Sequence, residues 1–168
     1  MTPEIPAPHA LEMTLLMTPD KANFGGKVHG GQLLKTLDEV AFVCASRYSG
    51  HYVVTLSVDQ VLFKESIYIG ELVTFLANVN DTGRTSMEIG IKVVSESIRD
   101  RSIRHVMTCF FTMVAIGDDG RPTGVPPIQP TDPVAEQRQH AARLRRELRR
   151  EIAERYQAIR HAGLDTSG

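Results

Sequence analysis

The sequence predicts an α+β protein in which a strongly curved antiparallel sheet wraps around one long central helix, followed by a C-terminal helical extension. Three observations carry this expectation. A single apolar helix pattern occupies residues 32–48. Four long segments of alternating or continuous apolar residues follow it, separated by turn residues. Beyond a proline-rich stretch the chain changes character and becomes a heavily charged helical pattern. One helix and one sheet each have an apolar face to hide, and wrapping the second around the first buries both.

The helix pattern runs from Gln32 to about Tyr48, with Leu33, Leu34, Leu37, Val40, Ala41, Cys44 and Ala45 as a wide apolar stripe, and Ser49-Gly50 marks its end. Before it, Leu11 to Met17 alternates as a short strand that Thr18-Pro19-Asp20 closes. After it, residues 53–63 place Val54, Leu56, Val58 and Leu62 on one face. Residues 71–80 do the same with Val73, Phe75, Ala77 and Val79, and residues 85–96 with Met87, Ile89, Ile91 and Val93. Residues 103–116 are apolar or β-branched on both faces, as a central strand should be. Ile69-Gly70, Asp81-Thr82-Gly83, the stretch around Arg99-Asp100-Arg101 and Asp118-Asp119-Gly120 read as hairpin-like turns, which predicts a meander with the first short strand at an edge.

The domain organisation expected is a lead-in at 1–10, a globular domain at 11–117, a Gly/Pro-rich linker at 118–133 and a charged helix with its tail at 134–168. In that helix Leu144, Leu148, Ile152, Tyr156 and Ile159 form a narrow stripe. Glu147, Glu151 and Glu154 interleave with the arginines at pairing distance, which argues against a basic nucleic-acid arm. A net charge of -1 over 168 residues gives no global electrostatic reason to bind nucleic acid. No segment is long and apolar enough to span a bilayer, and the N-terminus shows no signal-peptide pattern. Cys44 and Cys109 lack ligand spacing, so buried thiols in a reducing cytoplasm are expected, with no metal site.

The chemistry concentrates at the loop entering the central helix. Asp38 interrupts the row Leu34, Asp38, Ala41, Ala45, so a carboxylate shares a helix face with apolar neighbours. It is near an edge, paired, or held as a general base or nucleophile. Gly30 and Gly31 open the helix, where unpaired amides could stabilise a negative oxygen and glycine lets a substrate approach. Asn23, in the preceding loop, could orient a water or bind a carbonyl oxygen, or simply form a turn. His29 is a further candidate acid or base. The polar turn Asp81-Thr-Gly-Arg-Thr-Ser86 could hold a phosphate or an amide, or be only a hairpin.

Asn23, His29-Gly30-Gly31, Leu37-Asp38-Glu39-Val40-Ala41 and the Thr82-Gly-Arg-Thr-Ser86 hairpin together resemble the hotdog-fold acyl-CoA thioesterases, over about residues 11–117. The resemblance implies an antiparallel sheet around one long helix, sites formed between two protomers, and dimers that assemble further, often to hexamers as trimers of dimers. It implies that Asp38 activates water or attacks the thioester carbonyl, that amides near Gly30 and Gly31 hold the oxyanion, and that Asn23 positions the carbonyl or the water. Gly83, Arg84, Thr85 and Ser86 would line the coenzyme A arm. The expected activity is hydrolysis of acyl-CoA to a carboxylic acid and coenzyme A in the cytoplasm, with no cofactor beyond the substrate. A thioester carbonyl is electrophilic and thiolate leaves readily, so one carboxylate with main-chain donors suffices. Two other readings stand beside it: a non-catalytic acyl-CoA or lipid-binding regulator on the same fold, and a hotdog hydratase or dehydratase using His29 with Asp38. An oligomeric scaffold built on the arginine-rich tail is a third.

Overall fold

The computed structural model describes residues 8–164. Residues 1–7 of the expected lead-in and 165–168 of the expected tail lie outside the described residues. The chain divides into two compact units between residues 128 and 129. In the first, β1 (Ala10–Leu16) leads through a 3-10 turn (Pro19–Lys21) and the glycine-rich loop into α1 (Gly30–Ser49). The strands β2 (Tyr52–Val58), β3 (Leu72–Thr82), β4 (Ser86–Glu96) and β5 (Ile103–Ile116) follow. The second unit holds one helix, α2 (Pro133–Leu164). In it Leu144, Leu148, Ile152, Tyr156 and Ile159 are all exposed.

The five strands form one antiparallel sheet in the order β1-β3-β4-β5-β2. Its inner face carries Val73, Phe75 and Ala77 from β3, Met87, Ile89 and Ile91 from β4, and Cys109, Phe111 and Met113 from β5, all buried. α1 presents Leu37, Val40, Ala41, Cys44 and Ala45 to that face, each with no exposed surface. Burying a side chain such as Leu37 is worth roughly 1.5–3 kcal/mol, so the helix is held by packing. α1 starts two residues earlier than the apolar periodicity indicates, because the glycine pair itself forms the first turn. It ends at Gly50, whose φ of 72° is the left-handed conformation that glycine adopts without strain.

Two expectations about the strands are corrected. The segment 53–63 and the segment 71–80 are not hairpin partners. β3 pairs instead with β1, Leu16 opposite Leu72, and β2 pairs with β5, Tyr52 opposite Ile116. The chain between β2 and β3 therefore crosses from one edge of the sheet to the far side of β4, and Gly70 (φ 90°) turns it into β3 without closing a hairpin. β2 is also shorter than expected. Its ladder ends at Val58 opposite Phe111, and a bulge between Thr55 and Ser57 breaks its alternation. As a result only Val53 of β2 is buried, while Val54, Leu56 and Val58 are exposed at the sheet edge.

Candidate active site

The loop before α1 is built around Asn23. Its side-chain Oδ1 accepts from the amides of Gly25 (2.8 Å) and Lys27 (3.1 Å), and its own amide donates to the Lys27 carbonyl. This is the local turn that asparagine favours. Gly26, at φ 73°, supplies the left-handed residue the turn requires. With Oδ1 occupied twice, the remaining capacity of the side chain is its nitrogen, a donor with no partner among the described residues. Asn23 thus both forms the turn and offers a hydrogen bond to an acceptor; the two readings open in the sequence are compatible.

His29 is the N-cap of α1, its Nδ1 accepting from the Gly31 amide at 3.0 Å. That bond engages the Gly31 amide within the loop. The Gly30 amide has no acceptor among the described residues and belongs to the unpaired first turn of the helix. A cavity of about 280 Å³ opens beside it, bordered by Asn23 and Gly30, by Val28, Leu33 and Ile67, and by Phe63 and Lys64. The Asn23 loop is anchored to the other wall of this cavity. The Val28 amide donates to the Ile67 carbonyl at 2.9 Å, and Lys27 Nζ donates to Ser66 Oγ at 3.1 Å. Behind that wall, Arg104 holds both carboxylate oxygens of Glu71 (2.6 and 2.8 Å) and the Ser66 carbonyl (3.1 Å). Burial pushes the Glu71 carboxyl up. The Ser95 hydroxyl, the Tyr68 amide and Arg104 outweigh it and hold the group below its ordinary value.

Asp38 is exposed on α1, in one row with the exposed Leu34 and Phe42. The acid is therefore not stranded in the core. Ala41 and Ala45 face the sheet, whereas Asp38 looks over the edge strand β2. The Thr55 hydroxyl donates to Asp38 Oδ1 at 2.6 Å, a short charge-assisted bond that fixes the carboxylate. Sequence reasoning did not single out Thr55 as a neighbour of Asp38. The residue reaches Asp38 from β2 at the bulge where strand alternation breaks, so no period-two argument would have pointed to it.

Within one chain these groups are not gathered together. Asp38 lies eight residues along the helix from Gly30, about 12 Å. The hairpin carrying Gly83, Arg84, Thr85 and Ser86 sits near the opposite end of the sheet. Ser86 faces Val114, Tyr52 faces Ile116, and α1 reaches that end only at its C-terminus after 20 residues, about 30 Å. The hairpin is closed by the Gly83 amide on the Ser86 carbonyl (2.7 Å), and its Arg84 carbonyl accepts from Val125. Burial pushes the thiols of Cys44 and Cys109 up to about 12, which leaves neither reactive at neutral pH. Among the described residues no cluster of His, Cys, Asp and Glu is suited to a metal ion, and no helix is long and apolar enough to cross a membrane.

Comparisons with known proteins bear on the family and the fold. Residues 25–101 match the Thioesterase superfamily model. Protein VdlD of Helicobacter pylori (strain J99 / ATCC 700824) is 49% identical over 139 residues, 83% of this chain and 79% of that protein. An apo-hexameric acyl-CoA thioesterase superposes with a TM-score of 0.83 at 32% identity, over 86% of this chain and 93% of that one. The acyl-CoA hydrolase of Staphylococcus aureus, solved with butyryl coenzyme A, coenzyme A and coenzyme A disulfide, gives 0.82 at 28% identity, over 92% and 95%. The same hydrolase has been solved as single alanine variants of an asparagine, an aspartate and a threonine. The one helix cradled by a five-stranded antiparallel sheet, the glycine loop that opens that helix and these similarities place the chain in the thioesterase superfamily, among the hotdog-fold acyl-CoA thioesterases.

Proposed function

We propose that the protein hydrolyses the thioester of acyl-CoA, with Asp38 as the base or nucleophile and with the Gly30 amide and the Asn23 side-chain nitrogen as donors to the oxyanion. The observation that carries this reading is the contrast between the two halves of the site. Two residues with unengaged donors, Asn23 and Gly30, line the cavity at the helix start, and a carboxylate oriented by a hydroxyl stands at the exposed flank of the same helix. In base catalysis Asp38 takes a proton from the attacking water. The carbonyl oxygen gains its negative charge against the Gly30 and Asn23 donors, and collapse expels the coenzyme A thiolate. Direct attack by Asp38 uses the same donors and adds an anhydride that water then opens. The reaction requires no cofactor. The substrate is water-soluble, and a cytoplasmic location suits it and the two free, buried cysteines.

The variants of the S. aureus hydrolase support the assignment. Their asparagine, aspartate and threonine are spaced fifteen and seventeen residues apart, the spacing of Asn23, Asp38 and Thr55 here.

The site is completed by a second copy. β2 is a sheet edge with unpaired main-chain groups, and it exposes Tyr52, Val54, Leu56 and Val58 beside Phe42 and Leu34 of α1. Such an edge invites pairing. A two-fold axis at β2 joins two sheets antiparallel and sets two α1 helices side by side in opposite directions. The N-terminal loop of one helix then lies beside the C-terminal half of the other. This brings Asp38 and the Gly83–Ser86 hairpin of one copy toward Asn23 and Gly30 of its partner, and Arg84 toward the coenzyme A arm. Three such dimers in a hexamer match the assembly state of several structural relatives.

The test is steady-state release of free thiol from acyl-CoAs of graded length. The parent protein turns them over, and Asp38→Asn with an intact fold loses about a thousandfold or more in kcat, on the scale of a removed nucleophile or general base. Acyl-CoA binding without turnover at any length would replace this reading by that of a regulator.

A further inference from the structure

The cavity beside Asn23 and Gly30 is lined by more residues than the proposed reaction uses. Val28, Leu33, Ile67 and Phe63 supply the apolar part of its lining, and Lys27, Lys64, Glu65 and Ser66 join Asn23 in the polar part. Leu33 and Ile67 are buried, 3% and 4% exposed, and do not yield. Phe63 is 49% exposed, and its ring edge lies over the helix start, where a Cβ on Gly30 would be 3.5 Å from Phe63 Cζ. The wall that carries Phe63 is fixed from behind. The Lys64 amide donates to the Val106 carbonyl, Lys27 holds Ser66, and Arg104 grips both the Ser66 carbonyl and Glu71. The main chain on either side of Phe63 is therefore tied to the sheet and to the loop.

We propose that this cavity receives the acyl chain and that Phe63 sets the length of chain accepted. The proposal rests on the thioesterase reading, because the Asn23 and Gly30 donors fix where the thioester carbonyl sits. With the carbonyl oxygen on Gly30 and Asn23, the coenzyme A sulfur leaves toward the polar part of the lining and the first methylenes of the acyl group enter between Leu33, Ile67 and Phe63. A cavity of about 280 Å³ lies just under the range that holds drug-sized ligands. It therefore suits short to medium straight chains, each methylene raising kcat/KM about fourfold until the ring is reached.

The experiment measures kcat/KM for straight-chain acyl-CoAs from acetyl to palmitoyl with the parent, Phe63→Ala and Phe63→Trp. Oligomer mass and thermal unfolding are followed for each. The ring is half exposed and makes no hydrogen bond, so both variants are expected to fold. The alanine variant moves the optimum to longer chains and raises the ratio of long to short kcat/KM at least tenfold. The tryptophan variant moves the optimum the other way. If both variants hydrolyse acyl-CoA with the parent's length profile, or move it in the same direction, the assignment of Phe63 is overturned while the thioesterase reading stands. A parent protein inert to the whole series overturns the thioesterase reading and this assignment with it.

Discussion

Replacing Thr55 by valine removes one atom group from the site and keeps its shape. The hydroxyl donates to Asp38 Oδ1 at 2.6 Å, and the same oxygen lies 3.5 Å from Met113 Sδ. Valine is nearly isosteric and equally suited to a strand, so β2 and its bulge remain. What is lost is one hydrogen bond to a charged group, worth about 1.5–3 kcal/mol where it is shielded from water and less where it is not. Converted at about 1.4 kcal/mol per decade, that is a fall of roughly ten- to a hundredfold in kcat. KM should change little, because Thr55 is argued to orient Asp38 and not to hold substrate. Serine keeps the donor, so Thr55→Ser should retain activity within a few-fold of the parent. The assay is continuous detection of released thiol, with near-ultraviolet circular dichroism to verify the fold. A Thr55→Val protein with parental kcat, or a serine variant as impaired as the valine one, would refute the view that the hydroxyl orients the acid.

Other consequences follow from the same geometry. His29→Ala removes the cap on the Gly31 amide and should cost about 0.5–2 kcal/mol of stability, with His29→Asn largely restoring it; thermal unfolding reads both. The Glu71 carboxyl is held below its ordinary value near 4.5, so its contribution is present above that value and is lost as pH falls through the lowered folded value. The stability gap between the parent and Glu71→Gln should therefore be constant near neutrality and close in acid, as denaturant titrations at several pH values would show. Leu56→Arg places a charge on an exposed edge residue and should leave the protomer folded while lowering its mass in sedimentation to that of a monomer and abolishing turnover.

The residues that were legible in the sequence are those whose environment is local. The stripe from Leu33 to Ala45 repeats at the helical period, and β3, β4 and β5 alternate cleanly, so one helix against one sheet follows. Asp38 stood out because it broke the helical row. Strand partners were less legible. Ile69-Gly70 has the composition of a hairpin turn, yet β1 occupies the edge of β3 that β2 would need, a competition between distant segments that no local signal records. Gly31 could not be separated from Gly30 before the His29 ring was seen to bond the Gly31 amide. Thr55 was hidden by a bulge. Val54, Leu56 and Val58 alternate as a core face would, yet they line an exposed edge.

The division of the site between two copies is tested most directly by mixing two inactive proteins. Asn23→Ala lacks the donor and Asp38→Asn lacks the acid. If each site takes Asn23 from one copy and Asp38 from the other, a mixed dimer has one site with both defects and one with neither. Random pairing of equal amounts, by co-expression or by exchange of subunits, then restores about a quarter of parental sites, each with parental kcat. Activity in the mixture no greater than the mean of the two variants alone would place the Asn23 and the Asp38 of each site on the same chain, and would contradict the two-copy account.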